Sequence, residues 1–461
     1  MGIRLSRLVV LIAASLLLAV GSPVADEGKY RFRLHPKQGC GLLEWVTPST
    51  FRFCRGWTEA GCAAGGASKQ ADFNVSQRDL GGHLEFQSSY LSVEVRKESL
   101  RLRVTTTGGA VLLDELTEVT SSDGEMSVER AASVGERFYG LGPRPEPGID
   151  LHGRLISATV PFLISSRGYG IYDDSKGSLV LDLARSRPDR YRISVRGAEE
   201  FAYYMYYGPD PKQIFEEHSS VSERPKSLSH GSFDILERAQ LPRIATALPP
   251  APSPAPEALC GIVHSLVNAS MSAILVPAFD LAPYLSTAEP LFGKALQIAN
   301  VVPVLFVSGR MLLEGNKQNA LAAGTRFRKS LTPFLLTYAE EARTQGIPMI
   351  HPLAMQFPRD PEAAKVDDAF MVGDEILAAP ICGLVQHLRS HPRSLPQRSR
   401  RGGGQPAGRH HRGSVSHKEM NGHSPSWQLT PGVTVGRRRQ ASALQKRTRN
   451  RFFSPFGIMV S

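Results

Sequence analysis

Between about Tyr30 and Gly208, hydrophobic and polar positions alternate over short runs that turn residues separate. The clearest runs are His83 to Gln87, Leu91 to Val95, Leu100 to Thr105, Ala110 to Leu113, Leu179 to Leu183, Tyr191 to Val195 and Phe201 to Tyr207. Alternation of this kind is typical of half-buried strands, and many short strands with few helical periods favour an antiparallel β-sandwich. We predict such a sandwich over residues 26–230, closed by a helix from Pro211 to His218.

The second half of the chain alternates helical spacing with continuous apolar runs. Pro256 suits the first turn of a helix, and Glu289 to Ala299 and the region around Phe327 to Ala342 also have helical spacing, the last with an expected kink or restart near Pro333. The strand candidates are Ile274 to Phe279, Val301 to Val307, Ile347 to Met355 and Ile376 to Ile381. This order predicts a parallel sheet of βα units over residues 259–382.

Two segments differ in composition from these domains. Residues 231–258 include the run QLPRIATALPPAPSPAPE, which predicts an extended spacer that contributes no core strands. Residues 383–461 hold 15 Lys plus Arg against the single acid Glu419 and have little apolar periodicity, so they predict a disordered basic tail.

The net charge of +11 therefore comes from the tail, and residues 1–382 are slightly acidic overall. Few aromatic residues in the tail and the absence of a nucleic-acid motif argue against specific nucleic-acid binding. A hydrophobic content of 41% and a charged content of 21% exclude a coiled coil, a collagen-like fibre and wholesale disorder. A mostly globular, multidomain chain remains.

The first 25 residues have the organisation of a secretory signal peptide. Arg4 and Arg7 precede an apolar core from Leu8 to Val20, and small residues follow. The core is shorter than the ~20 residues that a membrane-spanning helix needs, so we expect no stable membrane span after cleavage; an uncleaved anchor is the alternative. The expected location is the secretory pathway, either secreted or in the lumen of the lysosome or endoplasmic reticulum.

An oxidising compartment permits disulfides among Cys40, Cys54, Cys62, Cys260 and Cys382. The first three are close enough in sequence for one local bridge, but three pairings are possible. Their spacings match no zinc motif, so we expect neither a metal nor a cofactor. Asn74 and Asn268 begin glycosylation sequons.

Separated motifs resemble glycoside hydrolase family 31, the α-glucosidase and α-xylosidase family. They are GERFYGLG at 135–142, VPFLISSRGYG at 160–170, YYMYYGP at 203–209, LTPF at 331–334, HPL at 351–353, FPRDP at 357–361 and FMVGDEILAAP at 370–380. The resemblance implies a mutarotase-like N-terminal β-sandwich, a (β/α)8 barrel and retaining hydrolysis of α-O-glycosidic bonds.

Retaining hydrolysis needs a nucleophilic carboxylate and an acid/base carboxylate, and the family's contexts for both are missing from this chain. A complete barrel takes ~250 residues. Residues 231–346, the region where the first half of the barrel should lie, are too few to form it. The resemblance therefore implies a truncated or aberrant member with an incomplete barrel, and the catalytic residues are unknown.

Asp280 is the candidate substrate-binding residue, because it follows a buried strand and matches a sugar-contacting Asp of the family. A helix-capping or salt-bridged carboxylate is the alternative role. Where the family has a sugar-touching Arg-x-His, this chain reads Phe306-Val307-Ser308, and its Arg-Pro-Leu appears as His351-Pro352-Leu353. His264 is expected to be a satisfied boundary histidine.

We expect a catalytically impaired member of the family whose ligand, if any, is an α-glucoside or related oligosaccharide. A non-catalytic carbohydrate- or partner-binding protein and an active retaining α-glucosidase are the two alternatives.

Overall fold

The structure is a computed structural model that describes residues 24–58, 61–62, 65, 72–222, 227–249, 255–309, 313 and 315–381. The predicted tail and all but the last two residues of the predicted leader lie outside these residues. Most of the described chain forms antiparallel sheets, and helices are few.

The first eighteen strands build three antiparallel sheets. The strands are β1 (Val24–Gly28), β2 (Arg31–Leu34), β3 (Cys40–Thr47), β4 (Thr50–Gly56), β5 (Ser76–Asp79), β6 (His83–Gln87), β7 (Leu91–Arg96), β8 (Leu102–Thr106), β9 (Val111–Asp114), β10 (Thr120–Ser122), β11 (Glu125–Ala131), β12 (Phe138–Gly140), β13 (Arg154–Ser157), β14 (Phe162–Ser165), β15 (Tyr169–Asp173), β16 (Ser178–Leu183), β17 (Arg190–Arg196) and β18 (Glu200–Tyr207). Their sheet orders are β1-β2-β3-β4-β18-β15-β14-β12, β10-β11-β17-β16-β13 and β5-β6-β7-β8-β9. All seven predicted runs are strands.

Strand β18 lies inside the eight-stranded sheet and faces two hydrophobic cores. Phe201, Tyr203 and Met205 enter the core that the three antiparallel sheets share, whereas Tyr204 and Tyr206 enter a second core with the helices of the second half. Because successive side chains of a strand point to opposite faces, one short run supplies both cores.

A buried ion pair lies in the first core. Arg130 and Glu115 are fully buried and 3.1 Å apart, and the Leu102 amide also donates to Glu115. The Arg130 guanidinium lies 4.4 Å from the ring centroid of Tyr203. Burial raises the pKa of Glu115, and the nearby Arg130 opposes that shift. The charge of each partner is therefore compensated only by the other and by these few polar neighbours.

We expect Arg130→Met to lower the free energy of unfolding by about 3–5 kcal/mol, because it leaves Glu115 buried without its counter-charge. Urea unfolding followed by circular dichroism measures the change. Arg192→Met is the matched control, because Arg192 pairs with Glu129 on an exposed face, and it should cost under about 1 kcal/mol. Equal effects of the two variants would contradict this account.

Helix α1 (Pro211–Ser219) follows β18 and packs on the second face of the eight-stranded sheet through Ile214 and Phe215. Asp210 caps it by accepting a hydrogen bond from the Lys212 amide at 2.9 Å. His218, at the other end of the helix, lies among aromatic rings and is 3.0 Å from the Tyr206 hydroxyl. Burial lowers the pKa of His218 to about 4 from its ordinary 6.5.

His218 should make stability depend on pH between 6.5 and 4. Above pH 6.5 the ring is neutral in the folded and unfolded states. As the pH falls toward 4, only the unfolded state takes up the proton, so the folded state loses stability. The ring is partly exposed, so we expect a loss of about 2 kcal/mol.

The measurement is the unfolding free energy of the wild type minus that of His218→Gln, determined by urea titration at several pH values. This difference should fall by that amount between pH 7 and 4, because other titrating groups, such as Asp173, whose pKa burial raises to about 6, cancel in it. A difference that does not change with pH would refute the assignment.

The second half begins with a four-stranded parallel sheet. Its strands are β19 (Ile235–Glu237), β20 (Ala245–Ala247), β21 (Val276–Asp280) and β22 (Val304–Val307), in the order β19-β22-β21-β20. Its helices are α2 (Pro256–Ser270), α3 (Glu289–Val301) and α4 (Gly315–Gln345). Short 3-10 turns lie at His230–Phe233, Arg238–Gln240, Ala282–Tyr284 and Ala363–Lys365. The predicted alternation of helix and parallel strand is confirmed here.

The run QLPRIATALPPAPSPAPE, which is expected to contribute no core strand, contributes one strand to the parallel sheet, β20, and no residue of β20 is fully buried. Strand β19 precedes the run but lies within the predicted linker at residues 231–258. Pro242 and Pro249 flank β20 and do not lie inside it, so its amides remain free to pair with β21. Of the kink or restart expected near Pro333, the restart does not occur. Helix α4, 31 residues long, runs through Pro333, since proline removes only one amide donor from so long a helix.

The last strands form a separate antiparallel sheet, which corrects the prediction of a continuous parallel series. They are β23 (Ile350–Pro352), β24 (Phe370–Val372) and β25 (Ile376–Ala378), with helix α5 (Leu353–Gln356) inside the predicted strand at 347–355. Only three residues join β24 to β25, starting with Gly373 at φ +56°. Parallel neighbouring strands need a long crossover connection. A connection of three residues therefore requires an antiparallel pair.

The YGLG motif joins the antiparallel sheets to helix α2. Gly140 and Gly142 have φ near +105°, and a side chain at Gly140 would collide with the Phe162 carbonyl oxygen. The Gly142 amide donates to Ser272 Oγ at 2.7 Å, just after α2. The motif therefore has a structural role at this junction.

None of the helices in the described ranges is long and apolar enough to cross a membrane.

Candidate functional site

Asp280 and Ser308 mark the carboxyl edge of the parallel sheet. Asp280 is the last residue of β21, and Ser308 directly follows β22, its neighbour in the sheet. Side chains at the carboxyl ends of parallel strands are where barrel and open α/β proteins place functional groups. The structure therefore puts the sequence-predicted residue at the edge where a ligand site is expected.

Both carboxylate oxygens of Asp280 accept hydrogen bonds from the protein. Oδ1 accepts from the Ala282 amide at 2.9 Å and from the Ser308 amide at 3.1 Å, and Oδ2 accepts from the Ser308 hydroxyl. These bonds hold the turn after β21 and tie β21 to β22. None of these contacts is a helix cap, because the N-cap of the 3-10 turn at Ala282–Tyr284 is Leu281. Asp280 thus has a turn-holding and strand-tying role, and the partly exposed carboxylate still has lone pairs for a ligand.

The contact of Ser308 with Asp280 is one that sequence reasoning did not predict. The resemblance places Ser308 where the family has the histidine of its Arg-x-His, and Phe306 where it has the arginine. Phe306 is buried in the sheet opposite Asp280 in the register. Phe306 itself therefore offers no cationic group, and the guanidinium of Arg238, just after β19, lies 5.9 Å from the centroid of the Phe306 ring.

Glu237 is the other acid among the residues that end the four described parallel strands. In the register, Asp280 pairs with Phe306, and Phe306 pairs with Leu236. Leu236 is therefore level with Asp280, and Glu237 is one residue further along its strand. Because the strands are pleated, Glu237 points to the opposite face from Asp280. Strand β22 also separates the two, which puts their backbones about 10 Å apart.

A second polar cluster surrounds His351, where the family motif has arginine. The buried His351 Nδ1 lies 3.0 Å from Asp374 Oδ1, and Lys212 of α1 also pairs with Asp374. The Asp374 amide donates to the Tyr338 hydroxyl at 3.0 Å. The His351 contact, followed by that of Lys212, lowers the pKa of Asp374. This cluster links α1, α4 and the last sheet, and a structural role accounts for all its contacts.

His264 and Asn268 face the YGLG junction from helix α2. His264 Nδ1 lies 3.0 Å from the Pro145 carbonyl oxygen, as expected of a satisfied boundary histidine. Asn268 is completely buried, and its amide oxygen accepts from Arg144 at 2.6 Å. A glycan cannot occupy that amide in the folded chain, so the structure argues against the predicted glycosylation of Asn268. Asn74 is exposed and remains the candidate acceptor.

Cys40, Cys54 and Cys62 are buried thiols, and Cys260 is disulfide-bonded. The ligand atoms of Cys54, Cys62 and Glu200 lie within 4.8 Å of one another, a grouping that could hold a metal ion. The sequence spacing gave no sign of it, because Glu200 lies far along the chain and reaches the cysteines only through strand pairing.

Comparisons with known proteins agree on one kind of protein. Residues 346–396 match the model of the glycosyl hydrolase family 31 C-terminal domain. An α-xylosidase of Emericella nidulans is 31% identical over 116 residues, which are 22% of this chain and 15% of that relative. Neutral α-glucosidase AB of Mus musculus is 34% identical over 76 residues, which are 16% of this chain and 8% of the relative. The chain thus matches only a small part of the length of these relatives.

Two solved structures resemble the fold. One is a family 31 α-xylosidase from a soil metagenome complexed with xylose, with a TM-score of 0.65 and 12% identity over 79% of this chain and 92% of that one. The other is a Flavobacterium johnsoniae family 31 dextranase complexed with isomaltotriose, with a TM-score of 0.65 and 13% identity over 79% and 75%. Together these likenesses relate the fold of the chain to that of glycoside hydrolases. The match at residues 346–396 and the two curated relatives support, more narrowly, a member of glycoside hydrolase family 31.

We expect Asp280→Ala to lower the free energy of unfolding by about 1–3 kcal/mol, since three donors lose their acceptor. Ser308→Ala removes one of those donors from an exposed position and should cost about 1 kcal/mol. Urea unfolding measures both. Asp368→Ala, at an exposed carboxylate, is the control and should change little. If Asp280→Ala were as mild as the control, the role of Asp280 in holding the turn and tying β21 to β22 would be wrong.

Proposed function

We propose that this chain is a catalytically impaired member of the family that hydrolyses α-O-glycosidic bonds, and that it recognises an α-glycoside at the edge marked by Asp280. The observation that carries the proposal is the single carboxylate on that face of the described parallel sheet. Recognition needs one oriented hydrogen-bonding group, whereas hydrolysis needs two acids in register.

The single carboxylate supports this proposal because glycosidases need two carboxyl groups at a fixed separation. The two carboxyl groups of a retaining glycosidase lie about 5–5.5 Å apart, and those of an inverting enzyme about 6.5–9.5 Å apart with both facing the sugar. Glu237, the other acid among the residues that end the four described parallel strands, points to the opposite face. A fold without a nucleophile and a leaving-group acid forgoes rate factors of many orders of magnitude.

The proposed architecture is a mutarotase-like β-sandwich followed by an incomplete (β/α)8 barrel. The shared core of the antiparallel sheets supports the first part, and the four parallel strands between residues 235 and 307 support the second. A complete barrel has eight such strands. An incomplete wall supplies fewer loops at its carboxyl edge, and therefore fewer groups to surround a sugar.

The ligand class follows from the family. The relatives are named α-xylosidase and α-glucosidase, and the solved neighbours hold xylose and isomaltotriose. An α-linked glucoside or xyloside is accordingly the proposed ligand, with Asp280 accepting a hydrogen bond from a sugar hydroxyl.

We also propose that the protein passes through the secretory pathway and carries a glycan at Asn74. The leader pattern in residues 1–25 and the exposure of Asn74 support this. Glycosidase treatment of protein secreted from cultured cells should reduce its mass, and Asn74→Gln should abolish that shift.

The activity test uses purified full-length protein with nitrophenyl α-glucoside and α-xyloside. We expect no turnover above the blank for the wild type, Asp280→Asn or the control Asp368→Asn. Calorimetric titration with maltose and with isoprimeverose, an α-xylosyl disaccharide, should detect binding that Asp280→Asn weakens by about tenfold, the value of one charged hydrogen bond.

Turnover that Asp280→Asn abolishes and Asp368→Asn preserves would overturn the impairment. Equal binding by all three proteins would remove Asp280 from the site, and no binding to either sugar would leave recognition without support.

A further inference from the structure

A buried group of three cysteines lies on the eight-stranded sheet, away from the parallel sheet and its edge. Cys40 starts β3, Cys54 lies in β4, and Cys62 follows β4 outside any regular element. Their exposed fractions are 3%, 0% and 1%, and they form a small cluster of their own with Leu42 and Ala202. Neither the proposed function nor the family likeness uses them.

The strand register decides which cysteines face each other. Cys54 pairs with Leu42 on one side and Ala202 on the other, whereas Cys40 pairs with Gly56. Cys40 and Cys54 are therefore diagonal neighbours on one face of adjacent strands, a relation that separates residues by about 7–8 Å. Disulfides usually join Cα atoms 4.4–6.8 Å apart, so rigid strands disfavour a direct Cys40–Cys54 bridge.

Gly56 provides the space that brings Cys62 to both. A Cβ at Gly56 would lie 3.0 Å from Cys40 Sγ and 3.1 Å from the Gly61 Cα, so a side chain here would have to push the Gly61–Cys62 segment outward. Two hydrogen bonds fix that segment: Cys40 Sγ donates to the Gly61 carbonyl at 3.0 Å, and the Cys62 amide donates to Glu200 at 2.9 Å.

The sulfur atom of Cys62 consequently lies between the other two. It is within 4.8 Å of Cys54 Sγ and 3.7 Å from the Cys40 carbonyl oxygen. Contact with the Cys54 thiol, the largest influence, lowers the pKa of Cys62. Burial raises the pKa of Cys40 to about 12.

We propose that Cys62 is the shared redox partner of this cluster: it forms a disulfide with Cys54, and Cys40 stays a buried thiol that can replace Cys54 when Cys54 is absent. The oxidant is a disulfide compound, either a thiol oxidoreductase or a small molecule. The Cys62 thiolate attacks one of its sulfurs and releases a thiolate. The Cys54 thiolate then attacks Cys62 Sγ in the mixed disulfide, forms the Cys54–Cys62 bond and releases the second thiolate.

Two electrons and two protons thereby pass from the cysteine pair to the oxidant and the solvent. Cys54 and Cys62 are both buried in the folded chain. The exchange therefore takes place during folding, before Cys62 packs beside β4.

A thiophilic cation such as zinc is the competing occupant. Glu200 would have to be a ligand, but its Oε1 already accepts from Arg52 at 3.1 Å and its other oxygen from the Cys62 amide. The positive charges of Arg33, Arg52 and Arg55 also act on the cluster. These three guanidinium charges repel a divalent cation, and both oxygens of Glu200, the carboxylate of the grouping, already accept hydrogen bonds. The disulfide is therefore the better supported occupant.

Trypsin separates the three cysteines, which makes the pairing measurable. Cleavage after Lys37, Arg52, Arg55 and Lys69 places Cys40 in residues 38–52, Cys54 in residues 53–55 and Cys62 in residues 56–69. Full-length protein is refolded in a mixture of reduced and oxidised glutathione, alkylated under denaturing conditions and digested without reductant. Mass spectrometry should find the 53–55 peptide linked to 56–69, with Cys40 alkylated, in most of the molecules.

Three serine variants and a metal measurement complete the test. Cys54→Ser should shift the link to Cys40–Cys62, Cys40→Ser should leave Cys54–Cys62 unchanged, and Cys62→Ser should leave both remaining cysteines alkylated. A Cys40–Cys54 link in the wild type, or three alkylated thiols, would overturn the proposal. One equivalent of zinc retained by protein with three alkylatable thiols would assign the cluster to a metal. The wild-type result decides the question even if a variant fails to fold.

Discussion

The eight-stranded sheet must bury both of its faces, and the rest of the described structure depends on that constraint. Along β18, Phe201, Tyr203 and Met205 fill the core of the antiparallel sheets, while Tyr204 and Tyr206 fill the core beneath the helices. A shift of β18 by one residue would exchange the two sets and spoil both cores. The strand is therefore held in register from two sides, and the two halves of the chain share one rigid wall.

The junction at that wall explains several of the sequence motifs. The glycines of YGLG let the chain pass close to β14 and reach α2, where buried Asn268 and Ser272 hold the loop. These residues have the character of a structural joint, in which close backbone approach excludes any side chain. Such motifs carry the likeness to the family without carrying chemistry, because their contacts at this junction are structural.

At the carboxyl edge of the parallel sheet, geometry limits what one carboxylate can do. Asp280 is fixed by donors from Ala282 and Ser308, which orient its carboxylate at the end of β21. The pleat turns Glu237 to the other face, so a second acid at the same edge does not make a catalytic pair. Catalysis of glycoside cleavage depends on two carboxylates sharing one face, whereas recognition does not.

The sequence by itself determined the local elements: the seven alternating runs, the helix that starts at Pro256, the motifs of the family and the position of Asp280 at a strand end. Periodicity and turn chemistry are local, so they can be read from neighbouring residues. Only the tertiary structure decided that β19 and β20 join the sheet and that the last strands run antiparallel. It also decided three side-chain environments: Asn268 is buried, Ser308 donates hydrogen bonds to Asp280, and Cys62 lies beside two other thiols. Each of these depends on which distant segment lies alongside, and pairing between distant segments is set by the packing of whole sheets, which no local pattern records.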